Sequence, residues 1–197
     1  MMMMTIRVLR AYALRNPAIG YCQGMNFIAG LLLAVVPEET AFWLLSYFCE
    51  EVNPGYYSPP MLGTRADVSA LKEMIQSELP DLYHHCLHHH QLALELWATP
   101  WLIVHFVNAF PAHTALRVLE VVMLEGSDAT FAMSLAFLRM LQPALMGSST
   151  CDFTDLIETL RSHQSGMYDA DRLLEAGRRE LDRIRPKLRP CRAWHLR

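Results

Sequence analysis

Apolar side chains in this chain recur three and four residues apart, in runs cut by proline or glycine, and no stretch of several residues alternates apolar with polar at period two. The first spacing lines one face of an α-helix, whereas period two builds a half-buried strand. The chain is therefore predicted to be all-α, its helices joined by short Pro and Gly turns. A first helix over 5–15 sets Ile6, Leu9 and Ala13 roughly on one face and leaves Arg7, Arg10 and Arg15 to solvent. A second, over 25–36, is apolar on most sides and is ended by Pro37. Pro37 followed by Glu38 and Glu39 suits a helix start, so a third helix is expected over 38–51, with Phe42, Leu45, Tyr47 and Phe48 assigned to the core. Residues 53–60 hold Pro54, Gly55, Pro59 and Pro60 and form a loop. Its Tyr56 and Tyr57 are assigned to packing, with a partner-facing role as the alternative.

The second half continues the pattern. Val68, Leu71, Met74 and Ile75 predict a helix over 67–79, and Pro80 opens a shorter one. Residues 92–110 carry Trp97, Trp101 and Phe106, and Thr99-Pro100 is expected to break them into a helix pair because proline lacks the amide a helix interior needs. Leu116, Val118, Leu119, Val122 and Met123 mark a buried helix over 114–124, closed at Gly126. Further helices are expected over 130–145 and 152–161. The last, over 168–185, keeps Leu173, Leu174, Leu181 and Ile184 in helical register and is expected to stop at Pro186.

One cluster has metal-ligand character: His84, His85, Cys86, His88, His89 and His90. On an α-helix His84 and His88 share a face, as do His85 and His89. The cluster contains no acid to act as general base, and no second cluster offers an obvious third ligand. A polar helix end is therefore preferred, no metal ligand is assigned, and a His/Cys metal enzyme is kept as an alternative.

With 197 residues and no break in composition near the middle, one domain is the default. Apolar residues make up 52% and charged residues 19%, so either large buried helices or a fragment missing the partner that covers them is expected. The longest uncharged apolar run, 27–36, is about half what a transmembrane helix needs. Glu95 and Pro100 interrupt the other candidate run, so no transmembrane segment is assigned. A net charge of −3 gives no reason to expect nucleic acid as a partner. Between 178 and 197 eight Lys or Arg stand against Glu180 and Asp182, which reads as a solvated basic face or, alternatively, a peripheral contact with an acidic membrane surface. Residues 1–4 lack the layout of a secretory signal. Cys22, Cys49, Cys86, Cys151 and Cys191 are odd in number, widely spaced and free of any CxxC pair, so reduced thiols and a cytoplasmic location are expected.

Polar, small residues interrupt the first two apolar runs at Tyr21-Cys22-Gln23-Gly24-Met25-Asn26. Spacing alone supports a polar helix entrance with Asn16 as a turn residue. A side-chain amide beside a glycine at a helix mouth also allows hydrogen bonding in both senses and close approach by another molecule. The run Arg7-Val8-Leu9-Arg10-Ala11-Tyr12 followed by Asn16-Pro17-Ala18-Ile19-Gly20-Tyr21-Cys22-Gln23-Gly24-Met25-Asn26 resembles the second signature motif of the TBC domain, the helical module that activates Rab-type small GTPases. The likeness continues through Pro37-Glu38-Glu39, Ala41-Phe42-Trp43, Pro54-Gly55-Tyr56-Tyr57, Trp101-Leu102, Phe110-Pro111, Arg117-Val118-Leu119-Glu120 and Glu125-Gly126, covering about 5–163. Glu120 stands where the family commonly has Asp.

The resemblance implies a multi-helical TBC-like domain over 5–165, with 166–197 as a basic helix and tail. It implies a partner, a Rab-type GTPase in its GTP-bound form, and no cofactor. It makes Gln23 the catalytic glutamine finger that positions the hydrolytic water in trans. Tyr21, Gly24, Met25 and Asn26 would shape the loop or bind the GTPase. The family also uses an arginine from an IxxDxxR motif on an earlier helix. No Asp precedes an Arg at that spacing before Gln23, and Arg7, Arg10 and Arg15 lie on the wrong helix. The expectation is thus a TBC domain lacking its amino-terminal helices and weak or inactive alone. The alternative is a non-catalytic TBC-like interaction module that binds a small GTPase or another partner.

Overall fold

A computed structural model of the chain describes residues 1–89, 91–147 and 152–196. All regular structure among these residues is helical, as expected from the missing period-two pattern. The chain falls into two compact units, 1–65 and 66–197.

The first unit is built from α1 (Met2–Arg15), α2 (Met25–Leu33) and α3 (Glu38–Tyr47), each packed on the other two. The buried face of α1 is Val8 and Tyr12; Ile6 is exposed and Leu9 and Ala13 only half-buried, a rotation of the stripe read from the sequence. The helix α2 buries Met25, Ile28, Ala29 and Leu32 and leaves Phe27 to solvent, so it is one-sided rather than buried all round. After Tyr47 the chain loosens into a π-helical turn, Phe48–Val52, whose wider spacing carries Phe48, Cys49 and Val52 inward together. Leu45 and Phe48 are core, whereas Tyr47 is exposed. Tyr56 and Tyr57 are buried, which settles them as packing residues. Their loop is tied by Thr64 Oγ1 donating to the Tyr56 carbonyl at 3.1 Å.

The helix α4 (Leu62–Glu78) runs across the boundary between the units. In the second unit follow α5 (Pro80–Leu82), a π-helical segment Tyr83–His89, α6 (Leu94–Val104), α7 (Ala112–Glu125), α8 (Asp128–Met146), α9 (Phe153–Ser165) and α10 (Ala170–His195). The centre is α8: every residue from Ser127 to Leu138 is buried. By length and composition α8 would pass for a membrane span, but its burial makes it the core helix of this unit. Its polar groups are satisfied internally, Ser134 Oγ donating to the Thr130 carbonyl at 2.8 Å and Thr130 Oγ1 meeting His105 Nδ1. Around Phe137 stand Trp101, Phe106 and Phe110, with Phe106 stacked on Phe110 at 4.6 Å.

Two proline expectations fail. The run 92–110 does not break at Pro100; α6 passes through it and ends at His105, which takes a left-handed backbone (φ 47°, ψ 49°). Likewise α10 does not stop at Pro186 but continues through Pro190 to His195. Long-range packing supplies the reason: Leu173, Leu181, Ile184 and Leu188 are buried, and α8 is the principal partner of α10. Gly177 permits the close approach, since a Cβ there would overlap Met133 Sδ. The basic side chains of α10 are not simply solvated. Arg183 reaches Glu180 at 2.8 Å, as does Arg139 of α8, Lys187 reaches Glu78 at 2.6 Å, and Arg192 grips Asp67 with two bonds of 2.7 and 2.8 Å while donating to Asp128 at 2.7 Å.

Candidate functional site

The loop between α1 and α2 is fixed at both ends while its middle is presented to solvent. At the α1 end, Asn16 N–H donates to the Tyr12 carbonyl at 2.9 Å, and the Asn16 carbonyl accepts from Ile19 and Gly20 N–H at 3.2 and 2.8 Å. Asn16 Nδ2 donates to Glu50 Oε1 at 3.0 Å, and Arg15 pairs with the same carboxylate while lying 5.6 Å above the Trp43 ring. The Asn16 bond, followed by Arg15, holds the Glu50 carboxyl below the usual range despite partial desolvation. Beneath it, burial pushes the Tyr12 hydroxyl up, and burial pushes the Cys49 thiol up to about 12.

Gly20 and Gly24 make the two bends, with φ of 65° and 113°. Gly24 is the N-cap of α2 at ψ −38°, a backbone that side-chain-bearing residues avoid. Its N–H donates to Asn26 Oδ1 at 3.2 Å, its carbonyl accepts from Phe27 N–H at 3.0 Å, and Cys22 N–H donates to Met25 Sδ at 3.4 Å. Met25 is buried and Asn26 half-buried, so both hold the loop. Gln23 and Tyr21 are exposed, Tyr21 by 57%, and Phe27 is exposed by 43%. The Gln23 amide makes no side-chain hydrogen bond among the described residues, leaving both its donor and acceptor available. An exposed amide thus lies in sequence between two exposed aromatic residues, on a loop held by hydrogen bonds at both ends.

Comparison with known proteins decides the family. The model of the Rab-GTPase-TBC domain matches residues 4–146.

The chain belongs to the Rab-GTPase-TBC domain family. It is 33% identical over 165 residues to growth hormone-regulated TBC protein 1 of Xenopus tropicalis, covering 83% of this chain and 47% of that protein. The Rattus norvegicus protein of the same name is 38% identical over 144 residues, 73% of this chain and 50% of that one. The chain therefore spans about half the length of these relatives. Its fold matches the crystal structure of a Chlamydomonas flagellar RabGAP TBC domain with a TM-score of 0.79 at 30% identity, over 88% of this chain and 58% of the other. TBC domains of this family are those of GTPase-activating proteins, with small GTPases as partners.

Outside the loop, the histidine cluster is placed differently from the sequence reading. Residues 83–89 form a π-helical segment, so the i, i+4 pairs of an α-helix are not the governing geometry; His84 and His88 nevertheless lie with ring centroids 5.7 Å apart. His90 and Cys151 lie outside the described residues. No three ligand atoms of this segment converge among the described residues.

Proposed function

We propose that this TBC domain activates a Rab-type GTPase in its GTP-bound form, with Gln23 entering the partner's nucleotide site to place the attacking water. The single observation that supports this reading is the exposed, unbonded Gln23 amide held on a loop anchored through Asn16, Met25 and Asn26. Catalysis of phosphoryl transfer is mostly positioning and charge stabilisation. A fixed backbone beneath a free amide suits the first task. Tyr21 and Phe27 flank it and contact the GTPase surface. The complex acts in the cytoplasm and reaches endomembranes through the partner GTPase rather than through a spanning helix.

Charge stabilisation is the weaker half. Arg7 is engaged with Glu38 through bonds of 2.6 and 2.7 Å and Arg15 with Glu50. An arginine finger contributes about 10³ to 10⁵ in rate. These 197 residues, which contain no IxxDxxR sequence, therefore accelerate hydrolysis weakly when tested alone. The same ion pairs favour a second reading, a TBC module that binds a GTPase without accelerating it. Binding separates the readings: an activator prefers a GTPase held in a transition-state-like nucleotide complex over its GDP form, and Gln23→Ala removes that preference. Equal binding of both forms, unchanged in the mutant, would select the interaction module.

A further inference from the structure

Near the end of α10, Cys191 and His195 stand one helical turn apart and face Glu73 of α4. Cys191 Sγ lies 3.0 Å from Glu73 Oε2, and His195 Nε2 lies 2.8 Å from Glu73 Oε1; the three ligand atoms fall within 4.8 Å of one another. Cysteine and histidine at i, i+4 on one helix with a third ligand from a neighbouring helix is a spacing that zinc accepts. Arg192, between the two, bonds twice to Asp67, so the ligand-bearing helices are locked together before any ion arrives. From this geometry we infer that Glu73, Cys191 and His195 form a zinc site joining α4 to α10.

A thiolate and an imidazole select zinc over magnesium or calcium, which prefer all-oxygen shells. Tetrahedral zinc, with bonds of about 2.0–2.3 Å, needs ligand atoms about 3.3–3.8 Å apart. The two contacts to Glu73 must lengthen by several tenths of an ångström, and any pair near the 4.8 Å limit must close to the tetrahedral spacing, movements that the half-exposed Cys191 and His195 and the exposed Glu73 side chain allow. Binding replaces both contacts to Glu73 with bonds to the metal. The thiol gives up its proton to solvent, the imidazole binds through Nε2, the carboxylate through one oxygen, and a water takes the fourth position. The site lies in the second unit and is independent of Gln23.

The test is titration of the whole chain, stripped with chelator, with Co²⁺ and then Zn²⁺. Cobalt is the probe because a thiolate bound to it gives a sulfur-to-metal charge-transfer band. One equivalent of Co²⁺ is expected to produce the band and one of Zn²⁺ to abolish it. Cys191→Ser eliminates the band while Cys86→Ser, in the histidine segment, leaves it intact. Glu73→Gln or His195→Gln weakens binding by at least the about 10- to 100-fold that follows loss of a second-shell partner. Circular dichroism of the metal-free variants, matching that of the metal-free parent, shows that folding is not the cause. Absence of the band in the parent, its persistence in Cys191→Ser, or its loss in Cys86→Ser would each overturn the assignment.

Discussion

Replacing Gly24 with alanine tests whether backbone geometry at the loop is what makes Gln23 effective. Gly24 sits at φ 113° and ψ −38°. A residue with a Cβ held in such a sparsely populated region costs about 1–3 kcal/mol. The strain has two outlets. If the loop keeps its shape, Gly24→Ala lowers unfolding stability by that amount, read as a shift of the denaturant midpoint. If the loop relaxes, the bonds from Gly24 to Asn26 and Phe27 are lost, the native placement of Gln23 is depopulated by up to the about 5- to 150-fold equivalent to that strain, and the modest GTPase activation is lost. Both quantities are measured on one preparation, by urea unfolding followed by circular dichroism and by single-turnover hydrolysis at saturating chain. A mutant with unchanged midpoint and unchanged activation would refute the claim that this backbone is strained for a side-chain-bearing residue and fixes Gln23.

Arg192→Met removes the cation from Asp67, whose side chain is only 2% exposed, and from Asp128. Breaking a buried pair from one side costs about 3–5 kcal/mol, and the partial exposure of Arg192 places the expected loss near the lower end, checked by urea unfolding. His105 is held neutral: burial, and then the charge of Arg192, lower it to about 3. The unfolded chain protonates this histidine near its ordinary value of about 6.5 and the folded chain does not. Stability is therefore lost as pH falls from about 6.5 towards 3, with a slope approaching about 1.4 kcal/mol per pH unit from this group. His105→Asn, which tolerates the left-handed backbone, removes that component; an unaltered acid slope would count against it.

Local rules located most helices because each start or stop carries its own chemistry, such as Pro37 before Glu38 and Glu39 or Gly126 after Glu125. The loop at Gln23 was legible for the same reason: glycine at Gly24 marks a backbone bend that the structure contains. What escaped was set by tertiary contact. Pro186 reads as a stop, yet α10 continues because Leu188 is buried and Arg192 has Asp67 to bind, 125 residues away in sequence. The premature stop also hid the Cys191 and His195 pair, whose i, i+4 spacing was visible once the segment was known to be helical. Glu73 could not be connected to them by any local rule, since the contact spans 118 and 122 residues. The π-helical turns at Phe48–Val52 and Tyr83–His89 have no sequence signature, so the register they give Phe48, Cys49 and Val52 and the histidines was not foreseeable.

Single-turnover GTP hydrolysis by a panel of Rab-type GTPases, with and without a saturating amount of this chain and of its Gln23→Ala variant, tests the role of Gln23 directly. The expected result is a modest acceleration of at least one GTPase that disappears in Gln23→Ala while the helical spectrum is unchanged. Equal acceleration by the two proteins would remove Gln23 from the chemistry, and binding without acceleration across the panel would leave the chain an interaction module.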